Sequence, residues 1–597
     1  MLNGIILNTM KRIILASIAI MTTLGLSAKS ANPIRLNQVG YLPQEEKYVV
    51  IDQINPQNKL IVKNEKGNVV CRPKVVRTAK SSMSGKIRYI VDLSEIKTPG
   101  RYTIKLDKYQ SSFNISEKAF HNLATSSLKA FYLIRSGIDI SMKYADKYAR
   151  HCGHPDTTVI VHPSAASAAR PSGTIISSPY GWYDAGDYNK YTVNSAYSIG
   201  LMLDVYEQNQ NYFTKLNTNI PESNNSTPDI LDEMMFNLKW LLTMQDPSDG
   251  GVYHKLTTPR FENFIMPDKC HQPRYVVAKS VTGTLDFAAC MAQAARLLQG
   301  NKDYPEFSSK AREAAIKAYE WAKKNPNAFY KQSDINKNFK PNITTGEYGD
   351  FCSNDEIFWA ATELYRLTGI SQYKEDATKM MPSFFMNSSW GMVSELGLFS
   401  WISSNDSEMR TKSLNMLKRY CDNLIDNVAK SDFQSPYGSR KFDFGWGCLG
   451  GSCCFPAIAM LYADKYIDPG KYKKYAIENM DYLLGRNATG YCYVTGFGYL
   501  RPMHPHHRIS ASDGIEAPIP GLLVGGPNPG QQDKAEGNLV YPSDYPDESY
   551  LDQTESYASN EIAINWNAAL VGISCWIDAT TNITNKKTLY GQNYQFK

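Results

Sequence analysis

Two carboxylates three residues apart, Asp184 and Asp187, stand inside the aromatic-rich run GWYDAGDYNKY, from Gly181 to Tyr191. A buried core seldom tolerates unpaired acids, and a solvated face seldom wraps its acids in Trp and Tyr. The setting suits carboxylates that hold a water against an uncharged, flat-faced partner such as a sugar ring. Far along the chain, YLDQTESYASNEIAINWNAALV places Glu561 at the head of an apolar helical run. An acid that stays protonated near neutrality needs such apolar surroundings. Cleaving a glycosidic bond needs both kinds of group: an acid to protonate the leaving oxygen and a carboxylate on the opposite face to activate water. Plainer readings stand beside these. Asp184 and Asp187 precede the apolar run from Tyr191 through Leu203 and fit a loop leading into a helix, where the dipole favours ionised acids. They fit equally well an N-cap or a turn or metal carboxylate, and Glu561 fits a helix cap.

These residues need a scaffold, and the chain of 597 residues suggests one large domain with a smaller companion. Residues 32 to about 116 carry short alternating β-branched runs (YVVID, KLIVK, RYIVDL, RYTIKL) between Gly, Pro, Asn and Asp turns. That texture predicts a small β-sandwich. From about Phe120 the pattern turns helical: in PDILDEMMFNLKWLLTMQ, Ile230, Met234, Leu238 and Leu241 share one face. Further helical runs, several ending at Gly as at Gly369 and Gly485, are separated by long loops rich in Gly, Pro and aromatics. Many antiparallel helix pairs with elaborate loops at one end suggest a helical toroid, and no sequence repeat supports a solenoid.

The N-terminus reads as an export signal, residues 1–31. Lys11 and Arg12 precede an apolar run of 14 residues, Ile13 to Leu26, followed by Ala28-Lys29-Ser30 before Ala31. The run is short for a membrane span. The expectation is a periplasmic or secreted protein with no membrane span. Its formal charge of +6 becomes +3 once those residues are removed. No dense basic run calls for nucleic acid or an acidic polymer. The odd count of 11 Cys assigns no bridge, and adjacent Cys453 and Cys454 read as buried free thiols.

Together the DAGD run and the Asp552…Tyr557…Asn560-Glu561 run resemble glycoside hydrolase family nine, inverting cellulases built on an (α/α)6 barrel. A third segment agrees: VTGFGYLRPMHPHHRIS resembles the family's His signature ending Pro505-His506-His507-Arg508, departing from it at Cys492 and Leu500. Taken alone, His504, His506 and His507 also fit a metal site. GGVYHKLT, DYLLGRN and PGLLVGGPN extend the resemblance over about residues 32–580. It implies Asp187 as the base, Asp184 as its water-positioning partner and Glu561 as the acid, with Asp552 the upstream acid of the motif. It also implies His506 and Arg508 on sugar hydroxyls and Trp566 as an aromatic near the cleavage point. The IRLNQVGYLP segment resembles the immunoglobulin-like domains that precede some bacterial cellulase domains, and such a domain is a brace rather than a glycan platform. The implied organisation is a sandwich over 32–116 and a hydrolase domain over 117–597, acting on a β-glucan polysaccharide or oligosaccharide.

No cofactor is implied for the chemistry. GEYGDFCSNDEIFWAA resembles a family segment that often holds calcium, with Asp355 and Glu356 as oxygen ligands; the same acids suit a helix N-terminus. Some relatives carry a structural zinc near the catalytic loop. Cys152, His154 and His162 are the corresponding ligands to look for, with Ser136 standing where a second Cys would be sought. Exo action, or preference for xyloglucan or mixed-linkage glucan, is the alternative within hydrolases. A non-catalytic glycan-binding protein is disfavoured by the presence of all three carboxyls.

Overall fold

The computed structural model describes residues 32–57 and 59–587. The expected export signal lies outside the described residues. Eight strands come first: β1 (Ile34–Arg35), β2 (Tyr48–Asp52), β3 (Ile61–Asn64), β4 (Val69–Cys71), β5 (Val75–Lys80), β6 (Ile87–Asp92), β7 (Gly100–Leu106) and β8 (Tyr109–Ile115). They form two four-stranded sheets, ordered β1-β2-β6-β5 and β4-β3-β7-β8, whose named pairs are antiparallel. Period-two alternation sends Tyr102, Ile104 and Leu106 inward, onto Val49, Ile51 and Val62. The immunoglobulin-like sandwich expected from the sequence is therefore present.

Among the described residues, twelve helices of nine residues or more follow. In chain order they are α1 (His121–Leu133), α2 (Thr192–Gln208), α3 (Asp229–Thr243), α4 (Val281–Leu297), α5 (Phe307–Lys324), α6 (Asn354–Thr368), α7 (Ser371–Lys379), α8 (Ser394–Ile402), α9 (Ser407–Asp426), α10 (Phe455–Tyr466), α11 (Lys473–Leu483) and α12 (Ile564–Lys587). Even-numbered helices form the inner ring, with α12 against α2, α2 against α4, α4 against α6, α6 against α8 and α10 against α12. Odd-numbered helices lie outside them. Composition explains the sorting. From Thr192 to Tyr206, α2 is buried on every face, whereas α5 buries one stripe, Phe307, Ala311, Ala314, Ala315, Ala318, Tyr319, Trp321 and Ala322. This is the (α/α)6 barrel. Among the described residues no helix is long and apolar enough to cross a membrane.

The sandwich is fastened to the barrel by polar contacts. Arg88 of β6 is fully buried and reaches Asp432 and Asp547 of the helical domain as well as Asp52 of β2. Asn37 donates to Asp481 at 2.7 Å, and Asp481 also pairs with buried Arg486. A brace of this kind is costly to undercut, because removing one partner leaves a buried charge uncompensated.

The sequence patterns did not announce a small sheet above the helix ends. Strands β9 (Val159–Val161), β10 (Ile175–Ile176), β11 (Lys190–Tyr191), β12 (Lys255–Thr257) and β13 (Tyr275–Val276) join in the order β10-β9-β13-β12-β11. Strands of two or three residues are too short to show a period. This sheet nonetheless pins the DAGD run, because β11 directly follows it and leads into α2.

Candidate active site

The DAGD loop is held at both ends. Trp182 bridges to Arg135 before it, and Lys190–Tyr191 pairs with Lys255–Leu256 after it. Beneath it, buried Asp156 accepts from Arg274 at 2.9 and 3.2 Å and from Lys190 at 2.7 Å. Burial raises the Asp156 carboxyl, but the two cations pull it down to about 2. Arg274 also donates to the Tyr188 carbonyl at 3.0 Å, so this ion cluster fixes the loop backbone.

The two loop acids differ in their partners. Asp184 is fully engaged: Asn194 donates to Oδ1 at 2.8 Å and Tyr348 to Oδ2 at 2.5 Å. Burial, then the neighbouring charge of Asp187, pushes its carboxyl up to about 8 despite those donors. Asp187 takes all its bonds on Oδ2, from the Tyr191 hydroxyl at 3.1 Å, the Asn189 amide N–H at 3.3 Å and the Asn189 side chain. The Gly346 N–H donates to Tyr191 in turn, which orients that hydroxyl. Among the described residues, Oδ1 of Asp187 has no protein donor.

Glu561 faces this loop across the cleft. It does not cap α12, which begins only at Ile564: it is extended, at the C-terminal end of the short helix Tyr557–Asn560, and its Oε1 accepts from the Gly186 N–H at 3.3 Å. Its backbone is tied on both sides, since Gly525 N–H donates to its carbonyl at 2.8 Å and His506 N–H to that of Asn560 at 2.9 Å. Burial and the charge of Asp187 push its carboxyl up to about 8, against the pull of Arg508. Gly186 has no substitute here. A Cβ at that position would lie 2.3 Å from the His506 carbonyl and 3.2 Å from Glu561 Oε1.

His506 lines the cleft with its Nδ1 donating to the Thr554 carbonyl at 2.7 Å. The other nitrogen, Nε2, is thereby left as an acceptor, and burial and Arg508 depress the ring to about 4, so it is neutral. Arg508 also lines the cleft, but two of its donors are spent on the protein: Nη1 on the Gly186 carbonyl and Nε on the Glu262 carbonyl, both at 2.7 Å. It therefore holds the DAGD loop. Asp552, expected among the substrate-binding residues, is absent from the cleft wall. It accepts from Met503 N–H and His504 N–H at 2.9 Å and from Asn560 at 3.1 Å, tying the His segment to the turn before Glu561. Trp566 is in the cleft, its ring lying against the backbone of Gly447 and Gly450.

The cleft encloses about 890 Å³, and sequence reasoning missed much of its wall: Phe261, Tyr348, Trp390 and Trp446, with Tyr557 of the Glu561 motif beside them. Trp446 is 47% exposed and lies 5.4 Å from the Tyr557 ring between centroids. Large aromatics left open to water are the available signal, and both tryptophans sit in Trp-Gly dipeptides within loops. A π-helical turn, Leu449–Cys454, supplies Gly450, Gly451 and Ser452 to the same wall. It also carries Cys453 and Cys454, buried and unbridged.

The description "Glycosyl hydrolase family 9" matches residues 120–574, and "Cellulase N-terminal ig-like domain" matches residues 29–111. The chain belongs to glycosyl hydrolase family 9. A Bacteroides ovatus protein named as a xyloglucan-specific endo-beta-1,4-glucanase is 51% identical over 95% of this chain and 97% of its own length. Endoglucanase D of Acetivibrio thermocellus is 32% identical over 90% of this chain and 82% of its own length. A solved Bacteroides ovatus family 9 structure superposes with a TM-score of 0.88 at 49% identity, covering 92% of this chain and 99% of that one. The protein is thus a glycoside hydrolase, and family 9 catalysis needs no cofactor.

The expected metal ligands fall differently from the sequence reading. Cys152, His154 and His162 do not converge. His162 is occupied by Ser164 and the Pro341 carbonyl, each at 2.9 Å, and the Ser136 hydroxyl donates to the Tyr180 carbonyl. The residues are spread by sheet geometry, since β9 carries the chain away between His154 and His162. Asp355 accepts from Val393 N–H at 2.9 Å. Among the described residues, both carboxyl oxygens of Glu356 are buried without a hydrogen-bond partner, and so are both of Asp286 on the facing helix α4. Burial, then the charge of Asp286 for Glu356 and the charge of Asp355 for Asp286, raises both well above the carboxylate range. Carboxyl oxygens are the ligand type a calcium-type ion takes, but among the described residues these acids do not gather into a cluster of three ligands.

Proposed function

We propose that this family 9 hydrolase is an exported endo-β-1,4-glucanase that cleaves internal bonds of β-glucan chains with inversion, xyloglucan being the preferred polymer. One observation carries the catalytic assignment: Asp187 keeps one carboxylate oxygen free of protein donors, while Glu561, with a raised pKa, faces the same loop. Asp187 removes a proton from water as that water attacks the anomeric carbon, and Asp184 shares the grip on it. Glu561 delivers its proton to the departing oxygen. An aromatic-lined cleft supports a flat, neutral polymer as substrate, and the name of the 51% identical relative supports xyloglucan. Export rests on residues 1–31. Division into 32–116 and 117–597 is supported by the last sandwich strand ending at Ile115 and the first barrel helix beginning at His121.

Product profiling on carboxymethylcellulose, mixed-linkage glucan and xyloglucan tests this reading. We expect a fast viscosity drop and mixed oligosaccharides, greatest on xyloglucan. Release of only a mono- or disaccharide with viscosity unchanged would mean exo action, and no new reducing ends on any polymer would mean a glycan-binding protein.

A structural Ca2+ at the Asp355–Glu356 segment belongs to the same proposal, supported by the unpartnered oxygens of Glu356 and Asp286. Ligand at 100-fold over its Kd stabilises a fold by about 2.7 kcal/mol. Added Ca2+ should therefore raise the Tm of the wild type by a few degrees and leave Glu356→Gln unmoved. Equal shifts in both proteins, or none in either, would remove calcium from this segment.

A further inference from the structure

Beside the DAGD loop, but apart from the reacting carboxyls, three side chains of mixed donor type converge. One imidazole nitrogen of His154, one carboxylate oxygen of Glu262 and the Cys270 sulfur lie within 4.8 Å of one another. Nδ1 of His154 meets the Tyr183 hydroxyl at 2.9 Å, and that hydroxyl donates onward to the Gly153 carbonyl at 3.2 Å. Nδ1 therefore carries the ring proton, and Nε2 keeps its lone pair. A metal-ligating histidine is held in the same way, with its far N–H fixed by a second group. His154 is only 8% exposed and its Nε2 has no partner, and Oε1 of Glu262 is likewise buried and unpartnered. The Cys270 thiol donates to the Met266 carbonyl at 3.7 Å, a weak contact.

The backbone brings these groups together at some cost. His154 has a φ of +52°, a left-handed conformation uncommon outside glycine. The adjacent Gly153 abuts the opposite loop so closely that a Cβ there would lie 2.5 Å from Pro267. Neutral imidazole, thiolate and carboxylate together suit a borderline divalent ion in tetrahedral coordination, and hard ions such as Mg2+ would not select sulfur.

We propose that His154, Glu262 and Cys270 form a structural site for Zn2+ or an ion of the same class. A water supplies the fourth position, since Glu262 and Cys270 are only partly buried. On binding, the Cys270 thiol releases its proton to solvent and the sulfur bonds to the metal, with no change of oxidation state. Only His154 is shared with the ligand set expected from the sequence. The ion would clamp the 150–156 segment to the loop carrying Phe261, Glu262 and Phe264. That loop supports Arg508 through the Glu262 carbonyl and the two phenyl rings, so the site stiffens one wall of the cleft.

Cobalt substitution of the full-length exported protein tests this independently of turnover. Co2+ is titrated into chelator-stripped protein in excess Ca2+, which keeps hard-oxygen sites filled. One equivalent should generate a thiolate-to-cobalt charge-transfer band together with visible d–d bands, and Zn2+ should abolish both. Cys270→Ser should lose the charge-transfer band, Glu262→Gln should weaken Co2+ binding about 10-fold or more, and Cys152→Ser should behave as wild type. X-ray absorption on the zinc-loaded wild type, which needs no variant to fold, should find one sulfur at about 2.3 Å. No cobalt band in the wild type, a band lost in Cys152→Ser but kept in Cys270→Ser, or a sulfur count other than one would overturn the assignment.

Discussion

In Glu561→Gln, kcat on a soluble β-glucan falls about 10²–10⁴-fold, the usual contribution of a positioned general acid, with KM little changed. Glutamine keeps the size of the side chain and can still accept from Gly186 N–H, so the cleft survives while the transferable proton is lost. The loss should shrink on an aryl glycoside whose phenol leaves without protonation. Burial and the charge of Asp187 hold the Glu561 pKa near 8 in the wild type. Below that pH the group carries its proton and acts as an acid; above it the proton is gone. Activity therefore falls with rising pH through about 8, and this alkaline limb should be absent from the residual activity of Glu561→Gln. Unchanged turnover of the polymer, or an equal loss on the activated aryl glycoside, would take the acid role away from Glu561.

Asp187→Asn should cost a comparable factor, about 10²–10⁴ in kcat, on polymer and aryl glycoside alike, because the attacking water needs a base whatever the leaving group. The substitution has a second signature. The negative charge of Asp187 is among the causes that raise Glu561, so neutralising it should move the alkaline limb of the residual activity to lower pH. A purely structural role for Asp187 would lower kcat without moving that limb. Asp184→Asn offers a contrast: both oxygens of Asp184 are already bonded, to Asn194 and Tyr348, so its replacement should disturb the geometry of the water more than its deprotonation. If turnover in Asp187→Asn stays near wild type, the base must be sought elsewhere, with Asp184 the first place to look.

Much of this protein was legible in one dimension. Alternation in runs such as RYTIKL determines which side of a strand is apolar, and Tyr102, Ile104 and Leu106 point inward accordingly. Helical spacing marked α3, and the largely apolar run after Tyr191 marked a helix at the position of α2, though not its place in the inner ring. The reacting carboxyls were legible because their chemistry demands rare neighbours: acids among aromatics, a Gly between them, an Asn before Glu561.

What the chain pattern left open depends on residues that meet only after folding. Asp552 carries a motif acid's sequence position, yet two backbone N–H donors and the Asn560 side chain turn it into a support for the His segment. Arg508 spends its donors on Gly186 and Glu262, which no local pattern encodes. The pairing of His154 with Glu262 and Cys270, in place of Cys152 and His162, depends on two loops packing at Gly153 and Pro267. Sequence alone determined the local periodicities and the types of reactive group, because side-chain chemistry and φ/ψ preference act within a few residues. The tertiary structure decided which donors each acid keeps, which aromatics stay open to the cleft and how far each carboxyl is desolvated. Those properties depend on contacts between segments hundreds of residues apart, as between Gly186 and Glu561, and close packing lets a displacement of less than an ångström make or break them.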